Sequence, residues 1–208
     1  MGYDSSSITG VILAGGLARR MGGHDKGLVE LAGRPMIEYV VESMALQVGN
    51  LLINANRSET SYQYYGFPVI HDSRSDFAGP LAGIAAAMEQ SSSEILLAVP
   101  CDGPWLPLDL GERLYRKMLE SKADVCVAHD GDRLQPVFGL FRCSLAPSII
   151  DFLESGDRKI KLWLEQQRSV IADFSDCPEA FINVNTPEER DRVEQQLIKE
   201  TTQVVSRP

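Results

Sequence analysis

One stretch of this 208-residue chain gathers the residue types that hold phosphate: Leu13-Ala14-Gly15-Gly16-Leu17-Ala18-Arg19-Arg20-Met21-Gly22-Gly23-His24-Asp25-Lys26-Gly27. It follows directly on Ile8 to Leu13, a short apolar run of β character. Glycines let backbone N–H groups approach an anion with no Cβ in the way. Successive N–H groups then form a concave anion-binding nest. Arg20 and Lys26 add cations to the same loop, and a triphosphate supplies the negative charges to balance them. The spacing is not that of a P-loop, because G-x-x-x-x-G-K-[ST] is absent. Nor is it the G-x-G-x-x-G dinucleotide fingerprint.

Further candidates stand where other strands should end. Asp102 follows the uninterrupted apolar run Ile95 to Val99 through Pro100-Cys101. A carboxylate there suits Mg²⁺, which takes hard oxygen ligands, commonly one or two carboxylates plus substrate phosphates; an aspartate also serves as a turn or helix cap. Asn54, in Asn54-Ala55-Asn56-Arg57, and Asp72, after His71, are placed either to bond a nucleoside or to close turns. In Gly79-Pro80-Leu81-Ala82-Gly83, Gly79 allows close approach of a ligand, and Gly83 allows that or close helix packing. Asn183 and Asn185, before the last helix, bind substrate or cap that helix. Arg158, Lys159 and Lys161 form a solvated helix face or a seat for a second phosphate. Cys101 lacks a paired histidine and is not expected to act as a nucleophile.

These positions require a scaffold that brings strand ends together. Pro35 opens a helical pattern carried by Met36, Ile37, Val40, Val41 and Met44. Strands are expected at Leu51 to Ala55, Pro68 to His71, Ile95 to Val99, Asp124 to Ala128 and Val137 to Phe141. Helices are expected at Leu81 to Met88, Leu108 to Leu119, Ser144 to Glu154 and Ile160 to Gln166. A last helix starts at Thr186, where Thr186-Pro187-Glu188-Glu189 has the form of a capping box with proline at the first helical position. Strands alternating with helices predict an α/β fold: a single three-layer, doubly wound domain with a mostly parallel, Rossmann-like sheet. Ligands of such sheets bind at the carboxyl ends of the strands. The domain is expected over residues 8–199, between a polar tail at 1–7 and another at 200–208.

Composition narrows the function. The chain carries 20 Lys and Arg against 29 Asp and Glu, a net charge of −9. That disfavours a general nucleic-acid binder, which needs a basic face. With 44% hydrophobic residues a sizeable core forms without disulfides, and Cys101, Cys126, Cys143 and Cys177 show no C-x-x-C spacing. No membrane span or secretory leader is expected, which points to the cytoplasm.

Taken together these residues resemble the molybdenum cofactor guanylyltransferases, the MobA family. The resemblance rests on Leu13-Ala14-Gly15-Gly16, Arg20-Met21-Gly22-Gly23, Asp25-Lys26-Gly27, Asn54-Ala55-Asn56-Arg57, the Asp72 region, Gly79-Pro80-Leu81-Ala82-Gly83, Pro100-Cys101-Asp102 and Asn183-Val184-Asn185-Thr186-Pro187-Glu188-Glu189. It spans nearly the whole chain; the first glycine-rich segment alone marks only the wider group of nucleotidyltransferases. The resemblance implies transfer of GMP from GTP to molybdopterin or its molybdenum-loaded form. It implies that Leu13, Ala14 and Gly15 line the guanine nucleotide site, that Lys26 contacts phosphate, and that Asn54 and Asp72 contact the nucleoside. Asp102 would hold Mg²⁺; Arg20, Gly16, Gly23, Gly79 and Gly83 would shape the active site; Arg158, Asn183 and Asn185 would lie toward the pterin. A monomer is expected, with transient contacts to other proteins of molybdenum cofactor biosynthesis and to apo-molybdoenzymes. The alternatives are transfer of CMP to molybdopterin, transfer of a nucleotide to a sugar phosphate, or a non-catalytic nucleotide-binding module.

Overall fold

The computed structural model describes residues 2–15, 17–18, 24–73 and 79–205, with the backbone alone for 17, 18, 24 and 200–205. Seven strands form one sheet: β1 (Ile8–Leu13), β2 (Asn50–Asn54), β3 (Val69–Ile70), β4 (Ile95–Pro100), β5 (Val125–His129), β6 (Leu134–Arg142) and β7 (Ser169–Asp173). Their order across the sheet is β7-β5-β6-β4-β1-β2-β3. All neighbours are parallel except β6, which runs antiparallel to both β4 and β5. The mostly parallel sheet expected from the alternation of strands and helices is therefore present, with one reversed strand.

The sequence of β4 explains its central place. Leu96, Leu97, Ala98 and Val99 are all fully buried. Because successive side chains point to opposite faces, Leu97 and Val99 enter one core while Leu96 and Ala98 enter the other. On the first face lie α1 (Met36–Ala45) and α4 (Leu110–Ser121), which bury Ile37, Val40 and Met44, and Leu110, Leu114 and Met118. Spacing of three and four residues puts each set on one side of its helix. On the second face lie α3 (Pro80–Gln90), α5 (Ala146–Glu154) and α6 (Ile160–Leu164), with Trp163 wholly buried. Helices on both faces of the sheet make three layers.

A short helix not anticipated from the sequence, α2 (Glu59–Gln63), sits between β2 and β3 and buries Tyr62 completely. β7 was also not anticipated; it pairs in parallel with β5 and forms one edge of the sheet. The last helix, α7 (Pro187–Val205), starts as the sequence predicts. Glu189 N donates to Thr186 Oγ1 at 3.2 Å, and Thr186 N donates to Glu189 Oε2 at 3.1 Å. Both bonds of the capping box are made.

Candidate functional site

The chain order reverses direction across the sheet at β1, which has β2 on one side and β4 on the other. A crevice outside the carboxyl ends of the strands at such a point is where open α/β sheets bind ligands. A cleft of about 480 Å³ lies there. Its floor comes from strand ends: Leu13 closes β1, Asn54 closes β2, and Pro100, Cys101 and Asp102 leave β4. Lys26, Asp72, Gly79, Asn183 and Asn185 complete much of the wall.

Two of the expected functional groups face each other. Lys26 Nζ is ion-paired with Asp102 Oδ2 and donates to Asn185 Oδ1 at 2.6 Å. Asp102 is only 6% exposed, so the cation offsets part of the cost of keeping a carboxylate out of water. Three remote segments thereby meet at one ammonium. The Asn183–Asn185 segment is locked to the sheet, because Val184 N donates to the Asp102 carbonyl at 3.1 Å. Asn185 is held in turn by the start of α7. Its N–H donates to Glu189 Oε2 at 2.7 Å, and its Nδ2 donates to the Asn183 carbonyl at 3.0 Å. The same glutamate thus caps the helix and sets the residue that receives Lys26.

A second cluster lies beside it. Asn54 Nδ2 donates to Asp72 Oδ1 at 2.9 Å, and Asn56 Nδ2 donates to Asp72 Oδ2 at 2.7 Å. Asp72 N donates back to Asn56 Oδ1 at 2.8 Å. Both carboxylate oxygens are therefore aimed by asparagines, and Asp72 is presented to the cleft in one orientation. Asn56 had no role assigned from the sequence, although it stands in the same Asn-Ala-Asn run. Asn54 is buried at 3% exposure, pressed against the Gly83 backbone on α3.

That packing gives Gly83 a definite task. A Cβ at this position would overlap Asn54 Oδ1 and would sit 2.8 Å from Leu13 Cδ2. Alanine in a helix is favoured over glycine by about 1 kcal/mol, whereas overpacking a close-fitted core costs roughly 1–3 kcal/mol. Gly83→Ala is expected to be net destabilising and to displace Asn54 from Asp72. Thermal unfolding and nucleotide affinity measured on the same variant check this; a stabilised protein with unchanged affinity contradicts it.

The remaining expected residues divide clearly. Ala14 is buried, its N–H bonded to the Asn54 carbonyl at 2.8 Å, and Gly15 lines the cleft. Gly79, with φ of +86°, enters α3. Gly16, Arg20 and Gly23 lie outside the described residues. Arg158 does not line the cleft; its Nη1 donates to the carbonyls of Leu153, at the end of α5, and Asp157. Cys101 is buried, and burial together with the neighbouring Asp102 raises its thiol far above the ordinary range. It is therefore a packed thiol and not a nucleophile. Among the described residues no three His, Cys, Asp or Glu side chains group to hold a metal ion. Among the described residues, the carboxylates of Asp72 and Asp102 both line the cleft.

The model of the MobA-like NTP transferase domain matches residues 10–170. The molybdenum cofactor guanylyltransferase of Shewanella sediminis is 49% identical over 195 residues, covering 94% of this chain and 100% of its own length. Its counterpart in Shewanella putrefaciens is 52% identical over 183 residues, covering 88% of this chain and 94% of its own. Among solved structures, the molybdopterin-guanine dinucleotide biosynthesis protein A of Archaeoglobus fulgidus superposes with a TM-score of 0.78 at 24% identity, covering 92% of this chain and 99% of that one. This last likeness concerns the fold. A domain match across the sheet, with relatives of about half identity over nearly the full length, places this chain in the MobA-like nucleotidyltransferases, as a member of the molybdenum cofactor guanylyltransferase family.

Proposed function

We propose that this chain transfers GMP from GTP to the terminal phosphate of molybdopterin, or of its molybdenum-loaded form. An oxygen of that phosphate attacks the α-phosphorus of GTP in line. The bond from the α-phosphorus to the bridging oxygen breaks, pyrophosphate leaves, and a guanine dinucleotide cofactor forms. The attacking phosphate is already an anion, so no protein base is needed. What the site must overcome is repulsion between two anions, and fixed positive groups do this best in a site closed to water. The observation that carries the reading is the meeting of Lys26, Asp102 and Asn185 at the carboxyl ends of the central strands.

The residues divide the work as follows. Leu13, Ala14 and Gly15 receive the nucleotide through backbone groups, with Asn54 setting Asp72 toward the nucleoside. Lys26 is assigned to phosphate, Arg20 to offsetting its charge, and Gly16 and Gly23 to shaping the active site. Asn183 and Asn185 lie toward the pterin. Asn183 Oδ1 is buried without a hydrogen-bond partner, and a buried acceptor of this kind needs a donor, which a pterin N–H supplies. Arg158 is assigned to the pterin side by the resemblance, although it does not line the cleft.

Mg²⁺ is the cation this reading assigns to Asp102, where a single buried carboxylate opens on the phosphate-facing cleft and already attracts an ammonium. Bound there, it would neutralise phosphate charge and orient the triphosphate. A monomeric, cytoplasmic enzyme over residues 8–199 that contacts other proteins of cofactor biosynthesis and the receiving apoenzymes belongs to the same proposal. No helix among the described residues is long and apolar enough to cross a membrane.

A nucleotide panel tests the reading. With molybdopterin as acceptor, GTP is expected to release pyrophosphate and yield the guanine dinucleotide, while CTP and ATP react far more slowly. Preference for CTP, or binding of GTP without pyrophosphate release, would overturn it.

A further inference from the structure

Lys26 sits in a short 3-10 turn, Lys26–Leu28, for which Asp25 is the N-cap residue. An aspartate at an N-cap ordinarily accepts from the N–H groups of its own turn. Here it makes no such bond. Its carboxylate is directed instead to Tyr62, whose hydroxyl donates to Asp25 Oδ1 at 2.8 Å across 37 residues of sequence. Tyr62 is fully buried in the core, and a buried phenol needs a partner for its O–H. Burial and the neighbouring Asp25 raise the phenol far above its ordinary range, so it remains a donor.

The contact also fixes the backbone. A Cβ on Gly27 would lie 2.8 Å from Tyr62 Oη and 3.3 Å from Cys101 Cβ. The turn therefore rests directly on the phenol and on the residue that precedes Asp102. Within the phenol's own helix, Tyr62 N donates to the carbonyl of the N-cap residue Ser58 at 3.2 Å. Tyr62 does not line the cleft, so any influence on the reaction passes through the turn. A lysine side chain has four flexible bonds, and its reach is set by where its backbone is held.

We propose that Tyr62 is a positioning residue for Lys26: its buried hydroxyl captures the Asp25 carboxylate and so holds the turn that delivers the ammonium to the cleft. The catalytic consequence rests on the reading of Lys26 as the phosphate-facing cation; the geometric one does not. Tyr62→Phe keeps the ring in the core and removes only the donor. Asp25→Ala breaks the same link from the other end, and Asp25→Asn retains an oxygen that can accept from the phenol.

The first measurement is the rate at which acetic anhydride labels Lys26 in the full chain, read by peptide mass spectrometry with exposed Lys122 as internal control. Labelling of Lys26 is expected to rise several-fold in Tyr62→Phe and Asp25→Ala, and to stay near wild type in Asp25→Asn. The second is a double-mutant cycle on guanylyl transfer. Tyr62→Phe is expected to lower kcat about tenfold, the scale of a sub-ångström misplacement of a reacting group, with little change in KM for GTP. In a Lys26→Ala background it should have no further effect, because residues acting through one another do not add. Wild-type labelling of Lys26 in a folded Tyr62→Phe protein overturns the proposal, as does an additive loss with Lys26→Ala. Absence of transfer by the wild-type chain would instead sink the functional reading, since the labelling result stands without turnover.

Discussion

Asp102→Ala is expected to reduce metal-dependent guanylyl transfer by about a thousandfold, because a metal stabilises transition-state charge by several kcal/mol and each 1.36 kcal/mol is a factor of ten. The fold should survive. The Asp102 carbonyl, which receives Val184 N, belongs to the backbone and remains. Lys26 loses its counter-charge but keeps Asn185, so the stability cost should be about 1–3 kcal/mol, the scale of a lost hydrogen bond to a charged group. Asp102→Asn separates charge from shape: it preserves volume but removes the anion, and it should be nearly as inactive. Pyrophosphate release followed against metal concentration checks both. Wild-type metal dependence in either variant would remove Asp102 from the cation site.

Lys26→Ala should lower kcat/KM by about 10²- to 10³-fold, the range seen when one preorganised donor to a developing charge is removed. The effect on unfolding should be smaller than the effect on rate, because Asp102 then faces a cleft that water enters. Lys26→Arg is a sharper test. A guanidinium is planar and broad, and its fork does not reproduce a compact ammonium between a carboxylate and an amide oxygen. It is expected to restore stability more than rate. Unchanged kcat/KM in Lys26→Ala would count against the phosphate role, whatever the unfolding midpoint.

Much of this was legible in the chain itself, and the reasons are local. The run Ile95 to Val99 could only be a strand buried on both faces, and the Thr186–Glu189 signature named its own helix start. Leu13, Asn54 and Asp102 each stand at or just after an apolar run, so the rule that ligands sit at strand ends gathered them before any contact was known. The contacts themselves were not legible. Nothing in the spacing says that Lys26 meets Asp102 and Asn185, or that Asn54 is used to aim Asp72. These pairings depend on strand order, and strand order is set by packing over the whole sheet. The reversal of β6 escaped for the same reason, since an apolar run reads alike in either direction. Tyr62 was missed because α2 is only five residues long, too short for its periodicity to register. β7 alternates weakly at an exposed edge, where few side chains need to be apolar.

The bond from Asn185 to Lys26 spans 159 residues, which bears on the order in which a ribosome makes the chain. Lys26 emerges before Asp102, and the Asn183–Asn185 segment that meets both emerges after them. A nascent chain halted before Asn183 carries Lys26 without the Asn185 oxygen that receives it. The Lys26–Asn185 bond therefore forms only once the start of the last helix has been made, because Glu189 of that helix holds Asn185.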